Sequence, residues 1–223
     1  MKICKFKEVE LEIAKHIREH RLIPVLGSGF SSGSEAFNGF VPTGEEMKKY
    51  MIDIIAYYNG DDVNKKDLEK KTFSQIAIYY KTSETTENQK KYIRDNFTHA
   101  RLDEKRTRIL EIDWMYIYTL NMDDAIENNS GYKRVVCSNR RVDFSYLENN
   151  KCVINLHGDA NAHLLYQDDQ SQIFDFKQYA RSITTNESML DKLRHDFTCT
   201  NLLLAIPHRT GSPTSGKSSI IEA

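Results

Sequence analysis

Long hydrophobic runs are missing from this 223-residue sequence. No stretch approaches the roughly 20 consecutive apolar residues that a membrane-spanning helix requires. Residues 1–20 mix Lys and Glu with apolar side chains, whereas a signal peptide carries one continuous apolar run. We therefore expect a cytoplasmic protein with no membrane partner.

A strong net charge is also missing, because 31 Lys and Arg residues stand against 32 Asp and Glu residues. The resulting net charge of −1 provides no overall field that would attract nucleic acid or an anionic membrane. We therefore expect no direct nucleic-acid partner.

The sequence also lacks any C-x-x-C pair, which is the cysteine spacing of zinc ribbons and redox dithiols. Its four cysteines are widely separated: Cys4, Cys137, Cys152 and Cys199. We expect free thiols, no zinc and no other metal site. Cys152 lies in an apolar run and is predicted to belong to the core.

What the sequence does contain is a series of short apolar runs separated by helical patterns. The runs that predict β-strands are 22–26, 115–119, 134–137, 152–156 and 202–206. Apolar spacing predicts helices over 6–20 and over about 187–197. Strands of this kind alternating with helices predict an α/β fold, namely a Rossmann-like parallel sheet with helices on both faces.

The segment between the first two predicted strands is too long for a single crossover. It begins at Thr43-Gly44-Glu45-Glu46, which has the S/T-x-x-E form of a capping box. The apolar face of that helix is predicted to contain Met47, Met51, Ile54, Ile55 and Tyr58. Two or three further helices fit between 67 and 112. We predict a helical insertion at about 43–112, within a domain that spans 1–206.

The first predicted strand ends in Gly27-Ser28-Gly29. Glycines at this place let the backbone turn sharply and approach a pyrophosphate. The usual dinucleotide fingerprint has its third glycine three residues after the second, whereas Gly33 follows Gly29 by four. Taken alone, this motif supports a plain turn and a dinucleotide-binding turn equally.

The second motif, Thr119-Leu120-Asn121-Met122-Asp123-Asp124, also follows a predicted strand. Ligands of open α/β sheets bind outside the carboxyl ends of the strands, which is where these polar side chains are expected. The alternative is that Asn121 or Asp123 caps a helix through 125–127. A cap requires only one side chain and would leave most of the cluster unexplained.

The third motif, His157-Gly158-Asp159, follows the strand at 152–156. A single histidine is more often structural than catalytic, but Gly158 beside it permits close approach of a ligand. Polar residues and glycines at three strand ends favour a functional interpretation over three unrelated turns.

Taken in order, the three motifs resemble those of the SIR2-like domains of prokaryotic antiphage defence proteins, which are distant relatives of the sirtuins. The family order is strand–G-[AS]-G-[FV]-S, strand–T-x-N-x-D and strand–H-G-[DS], and the resemblance covers roughly 20–206. It implies that the first motif binds NAD, that Asn121 and His157 are needed for NAD cleavage, and that Asp123 lies beside the ribose site. The NAD-binding residues predicted in this way are Gly27, Ser28, Gly29, Phe30, Ser31, Thr119, Asp123 and Asp124.

The activity that the resemblance implies is an NAD glycohydrolase, which releases nicotinamide and ADP-ribose and depletes NAD in antiphage defence. Sirtuin deacetylases hold zinc through two C-x-x-C pairs, which this chain lacks, so the expected nucleophile is water. Cleavage leaves an oxocarbenium-like sugar. Asn121 can hold a ribose hydroxyl or the water, and His157, with an ordinary pKa near ~6.5, can act as the base.

Two other functions stay open. A non-catalytic sensor of NAD or ADP-ribose is favoured by Ala205-Ile206-Pro207-His208-Arg209, which stands where the family has a Gly-rich closing turn. A scaffold domain would assemble through the helical insertion. We expect a homo-oligomer in any case.

The segment Gly211-Ser212-Pro213-Thr214-Ser215-Gly216-Lys217-Ser218 fits the Walker A pattern. Only 219–223 follow it, too few residues for the helix that a P-loop needs, so we expect no nucleotide binding here. Residues 207–223 either begin a P-loop NTPase fused to the SIR2-like domain, which we favour, or form a disordered tail that matches by chance. The run 202–206 cannot be both the last Rossmann strand and the P-loop strand.

Overall fold

The computed structural model describes residues 6–60, 64–136, 144–165, 178, 184, 186–198 and 202–206. The five predicted strands are all present, within one residue at each described end: β1 (Leu22–Leu26), β2 (Tyr116–Thr119), β3 (Lys133–Val136), β4 (Cys152–Asn155) and β5 (Leu202–Ile206). They form one sheet in the order β3-β4-β2-β1-β5, in which all neighbours are parallel. The carboxyl ends of all five strands therefore lie at the same edge.

Helices occupy most of the remaining described chain. They are α1 (Phe6–Arg18), α2 (Gly44–Asn59), α3 (Lys65–Glu69), α4 (Phe73–Ser83), α5 (Thr86–Phe97), α6 (Glu104–Glu111), α7 (Ala125–Asn128), α8 (Phe144–Asn149), α9 (Ala160–Leu165) and α10 (Glu187–Thr198). The predicted helices at the two ends of the domain are confirmed as α1 and α10. No helix among these is both long and apolar enough to cross a bilayer.

Apolar side chains cover the sheet on both faces because successive strand residues point in opposite directions. One face packs against α1 and α6, with a core that includes Leu22, Leu26, Ile117, Val153, Ile13 and Leu110. The other packs against α8 and α10, with a core that includes Ile23, Tyr116, Tyr118, Cys152, Ile154, Leu147 and Met189. The fold is therefore α/β and Rossmann-like, and Cys152 is a core residue as predicted.

The helical insertion forms a third core beside the carboxyl edge of the sheet. Helices α2 to α5 bury apolar side chains that include Met47, Met51, Ile55, Ile76, Tyr80, Ile93 and Phe97. The same core contains Met122, Ala125 and Ala160, which come from the segments after β2 and β4. The insertion thus packs directly on the segments that carry the second and third motifs.

The capping box that starts α2 is present, because Glu46 N donates to Thr43 Oγ1 at 3.1 Å and Thr43 N donates to Glu46 Oε2 at 2.7 Å. Three details differ from expectation. Four short helices follow α2 up to residue 111, and the last of them, α6, packs on the sheet rather than in the insertion. Tyr58 is half exposed at the edge of the buried face, where its hydroxyl donates to Glu84.

The last predicted strand is part of the sheet, since Leu202–Ile206 pairs along its whole length with Leu22–Leu26. The Walker A-like segment and the rest of 207–223 lie outside the described residues. Cys4, Cys137 and Cys199 lie outside them too.

Candidate active site

The three motifs follow β1, β2 and β4, which are neighbours in the sheet. Backbone pairing continues one residue beyond the strands: Leu120 N donates to Leu26 O at 3.2 Å, and Leu156 N donates to Thr119 O at 2.9 Å. Segments that are far apart in the sequence therefore start side by side at one edge. This is the edge where α/β proteins bind their ligands.

The first motif folds as a tight turn. Residues Ser28–Phe30 form one turn of 3₁₀ helix, in which Phe30 N donates to Gly27 O at 2.9 Å. Gly27 has a φ of −99°, so left-handed backbone is not the reason for glycine at this position. The side chain of Phe30 is buried in the core below the turn, whereas 27–29 are partly exposed. In this motif, residues 27–29 are therefore accessible at the surface, and the packed side chain of Phe30 anchors the turn.

Almost every polar atom of Asn121 takes part in a hydrogen bond. Its N–H donates to Thr119 Oγ1 at 3.0 Å, and its carbonyl accepts from Asn155 Nδ2 at 3.2 Å. Its two side-chain hydrogens are also used, since Nδ2 donates to Gly27 O and to Ser31 Oγ, each at 3.0 Å. Of the side-chain atoms of Asn121, only Oδ1 is buried without a partner in the described residues. The residue thus offers one hydrogen-bond acceptor in a fixed direction.

Ser31 and Asp123 join the first motif to the second. The fully buried Ser31 hydroxyl donates to Asp123 Oδ2 at 2.6 Å, and Ala125 N donates to Asp123 Oδ1 at 3.2 Å. Burial raises the pKa of Asp123 to about 6, while the hydrogen bonds from Ser31 and Ala125 oppose that rise. A pKa of about 6 favours the ionised carboxylate at neutral pH, one hydroxyl away from Asn121. Its bond to Ala125 N also serves the start of α7, so the capping interpretation accounts for one of its oxygens.

Asp124 and Thr119, which the sequence also assigned to NAD binding, hold the scaffold together. Asp124 accepts from His99 N at 2.8 Å and from Ala100 N at 2.9 Å, which fixes the turn after α5. Thr119 Oγ1 donates to Leu26 O at 3.0 Å. Both side chains are buried, so in this structure they position the motif and the insertion.

His157 lies two residues after the last residue of β4, at the same edge as Asn121. It is partly exposed, and within the described part of the chain no group hydrogen-bonds its imidazole. Burial lowers the pKa of His157 from 6.5, which favours the neutral form of the ring at pH 7. Gly158 beside it has a φ of 100°, in the left-handed region where a side chain would be strained.

A largely buried ion network supports the third motif. Arg134 on β3 donates through Nε to Glu127 Oε1 and through Nη1 to Asp159 Oδ1. Asp159 Oδ1 also accepts from Asn161 N at 2.9 Å. Burial raises the pKa of Glu127 to about 7 against the opposing effect of Arg134. The network links β3 and α7 to Asp159, which lies two residues after His157.

Three residues of this edge escaped the sequence analysis: Asn155, Arg134 and Glu127. For Asn155 and Arg134 the available signal was a polar side chain within an apolar strand, because such groups almost always have a partner. Glu127 lies in α7, outside any strand. Asn155 ends the apolar strand β4, and Arg134 lies next to Val135 and Val136 in β3. Their partners lie on other elements, so the sequence pattern could not name them.

The fold and the site together define an α/β protein with a buried polar network at the carboxyl edge of its sheet. Across the described ranges, no three His, Cys, Asp or Glu side chains group as metal ligands would. No protein-family model matches the chain, and no curated protein matches its sequence. The functional interpretation therefore rests on the geometry of this edge and the order of the three motifs.

Proposed function

We propose that this chain is an NAD glycohydrolase, which cleaves the nicotinamide–ribose bond to give nicotinamide and ADP-ribose. The observation that carries the proposal is the buried Oδ1 acceptor of Asn121, which has no partner among the described residues, at the edge where His157 also lies. Such an acceptor suits a ribose hydroxyl or a water molecule, both of which donate hydrogen bonds. The order of the motifs, which resembles that of SIR2-like domains, supports NAD as the substrate.

In the proposed reaction, a water oxygen bonds to C1′ of the ribose while the bond from C1′ to nicotinamide breaks. Nicotinamide leaves with the bonding electron pair and needs no proton. The neutral His157 accepts the proton that the water releases. Asn121 Oδ1 orients the hydroxyl or the water, and the charge of Asp123 stabilises positive charge on the sugar.

The alternative is a sensor that binds NAD or ADP-ribose without turning it over. Two observations favour it: both side-chain hydrogens of Asn121 are committed inside the protein, and Asp124 is part of the scaffold. The sequence Pro207-His208-Arg209 after β5, in place of a Gly-rich turn, also favours it. Calorimetric binding of NAD without product would identify a sensor.

The resemblance carries further proposals about the cellular role. We propose that NAD depletion in the cytoplasm serves antiphage defence, that the protein acts as a homo-oligomer, and that an NTPase, fused or separate, regulates it. Light scattering tests the oligomer, and NAD levels in infected cells test the role.

The direct test is to incubate the purified protein with NAD and to measure nicotinamide by chromatography. We expect release from the wild type and a loss of roughly 10²–10⁴-fold in His157→Ala, which is the usual contribution of a general base. His195→Ala, a histidine change on the exposed side of α10, should keep full activity. Absence of release from the wild type, or activity that survives both His157→Ala and Asn121→Ala, would refute the proposal.

A further inference from the structure

Asn155 is a buried amide that touches the backbone of Asn121. It is the last residue of β4, lies opposite Thr119 in the sheet register and is only 1% exposed. Its Nδ2 donates to the carbonyl oxygen of Asn121 at 3.2 Å. Neither the motif order nor the resemblance assigns Asn155 a role.

Two hydrogen bonds clamp the peptide groups on either side of Asn121. The bond from Asn121 N–H to Thr119 Oγ1 fixes the peptide group that precedes the residue. The bond from Asn155 fixes the peptide group that follows it. Both backbone dihedrals of Asn121 are thereby restrained, and with them the direction of its Cα–Cβ bond. The two hydrogen bonds of Nδ2 fix the side-chain torsions, so backbone and side-chain contacts together set where Oδ1 points. We infer that Asn155 is a positioning residue that aims the acceptor of Asn121 at the ligand.

Packing alone does not explain an asparagine here. Among the described residues, Asn155 Oδ1 is buried and without a partner. A buried polar atom in that state is unfavourable for stability, and an apolar side chain such as Val153 on the same strand avoids it. The bond to Asn121 is the contribution that only the amide makes.

The inference concerns the residue that acts in the proposed hydrolysis, and so rests on that function, but one of its tests does not need catalysis. Asn155→Asp keeps the shape of the side chain and removes its donor, and Asn155→Ser is a smaller neutral variant. Asn186→Asp is the matched control, because Asn186 is also buried and its Nδ2 donates to another backbone carbonyl, that of Leu156, at 3.3 Å. Circular dichroism verifies folding, and Asn155→Ser replaces Asn155→Asp if the latter does not fold.

The first measurement is hydrogen exchange of the Asn121 side-chain amide by NMR, with its signals assigned through their loss in Asn121→Ala. We expect exchange to accelerate about 10-fold or more in the Asn155 variants, because local opening becomes easier, and to stay unchanged in Asn186→Asp. The second measurement is NAD hydrolysis. There we expect kcat to fall about 10- to 100-fold with little change in KM, as for a misplaced group that acts in the transition state.

An unchanged exchange rate of the Asn121 side-chain amide in folded Asn155 variants would overturn the inference. Equal effects in Asn186→Asp would overturn it too, since they would reflect the loss of any buried amide. If the wild type does not hydrolyse NAD, the proposed function fails, and the exchange measurement alone decides the role of Asn155.

Discussion

The hydroxyl of Ser31 donates a hydrogen bond of 2.6 Å to the carboxylate of Asp123, although 92 positions separate the two residues in the sequence. The same hydroxyl accepts from Asn121 Nδ2 at 3.0 Å. A serine has one hydrogen to donate, so the donors run in a single direction, from Asn121 through Ser31 to Asp123. In this series of hydrogen bonds, Oδ1 of Asn121 is the side-chain atom that has no partner among the described residues.

Ser31→Ala should therefore disturb both neighbours. Asn121 and Asp123 would each lose a buried partner, which is expected to lower the free energy of unfolding by roughly 1–3 kcal/mol. The pKa of Asp123 should rise further, because the hydrogen bond from Ser31 is one of the interactions that lower it. Urea unfolding and NMR titration of the carboxyl measure the two effects.

The control for this prediction is Ser34→Ala. Ser34 is also buried, and its hydroxyl accepts from Arg106 Nη1 at 2.8 Å. The same change in the titration of Asp123 in both variants would argue against a specific link through Ser31.

The rate of nicotinamide release should increase with pH and level off by neutral pH. His157 must be unprotonated to act as the base, and burial lowers its pKa from 6.5, so the half-maximal kcat/KM is expected below pH 6.5. Asp123, with a pKa of about 6, gains its charge over the same range and acts in the same direction. Assays from pH 5 to 8 at constant ionic strength test this, and a midpoint above 6.5 or a falling rate would contradict it.

Arg134→Met should strongly destabilise the fold. It leaves the partly buried carboxylate of Glu127 and the buried one of Asp159 without their cation, and breaking a buried pair in this way lowers stability by up to about 3–5 kcal/mol. Arg108→Met breaks the exposed pair with Glu104 and should lower it by less than about 1 kcal/mol. Similar losses for the two variants in denaturant unfolding would show that the buried network is unimportant.

Glu127→Gln should flatten the dependence of stability on pH. The folded-state pKa of Glu127 is raised from 4.5 to about 7, so the stability linked to its proton is complete below pH 4.5 and is lost as the pH rises to 7. Glutamine does not titrate, and its oxygen can still accept from Arg134 in the place of Oε1. Its NH2 group then takes the place of Oε2, which has no partner in the described residues, so no hydrogen bond is lost. Between pH 4.5 and 7, we expect the free energy of unfolding to decrease by roughly 1–3 kcal/mol less in the variant than in the wild type.

The unfolding free energy at several pH values tests this prediction. Glu104→Gln, at an exposed glutamate, serves as the control and should follow the wild type. A variant curve parallel to that of the wild type would mean that Glu127 does not titrate in this range.

The strands and the placement of the motifs could be read from local patterns. Short apolar runs that end in glycine or polar residues predicted β1, β2 and β4, and all-parallel pairing then brings Gly27, Asn121 and His157 to one edge. The insertion was predicted less accurately. The insertion ends near Phe97 because α6 packs on the sheet and not on the insertion core. The amphipathic spacing of α6 would be the same in either case.

The sequence alone determined the elements and their edge, because hydrophobic periodicity and the residues that stop a strand act over a few neighbouring positions. Only the tertiary structure decided which polar groups are paired inside the protein and which are not. Phe30 and Asp124 became supports, Asn155 became a neighbour of Asn121, and Asn121 kept one free acceptor. Hydrogen-bond partners up to 94 positions apart are chosen by the packing of whole elements, which no local pattern encodes.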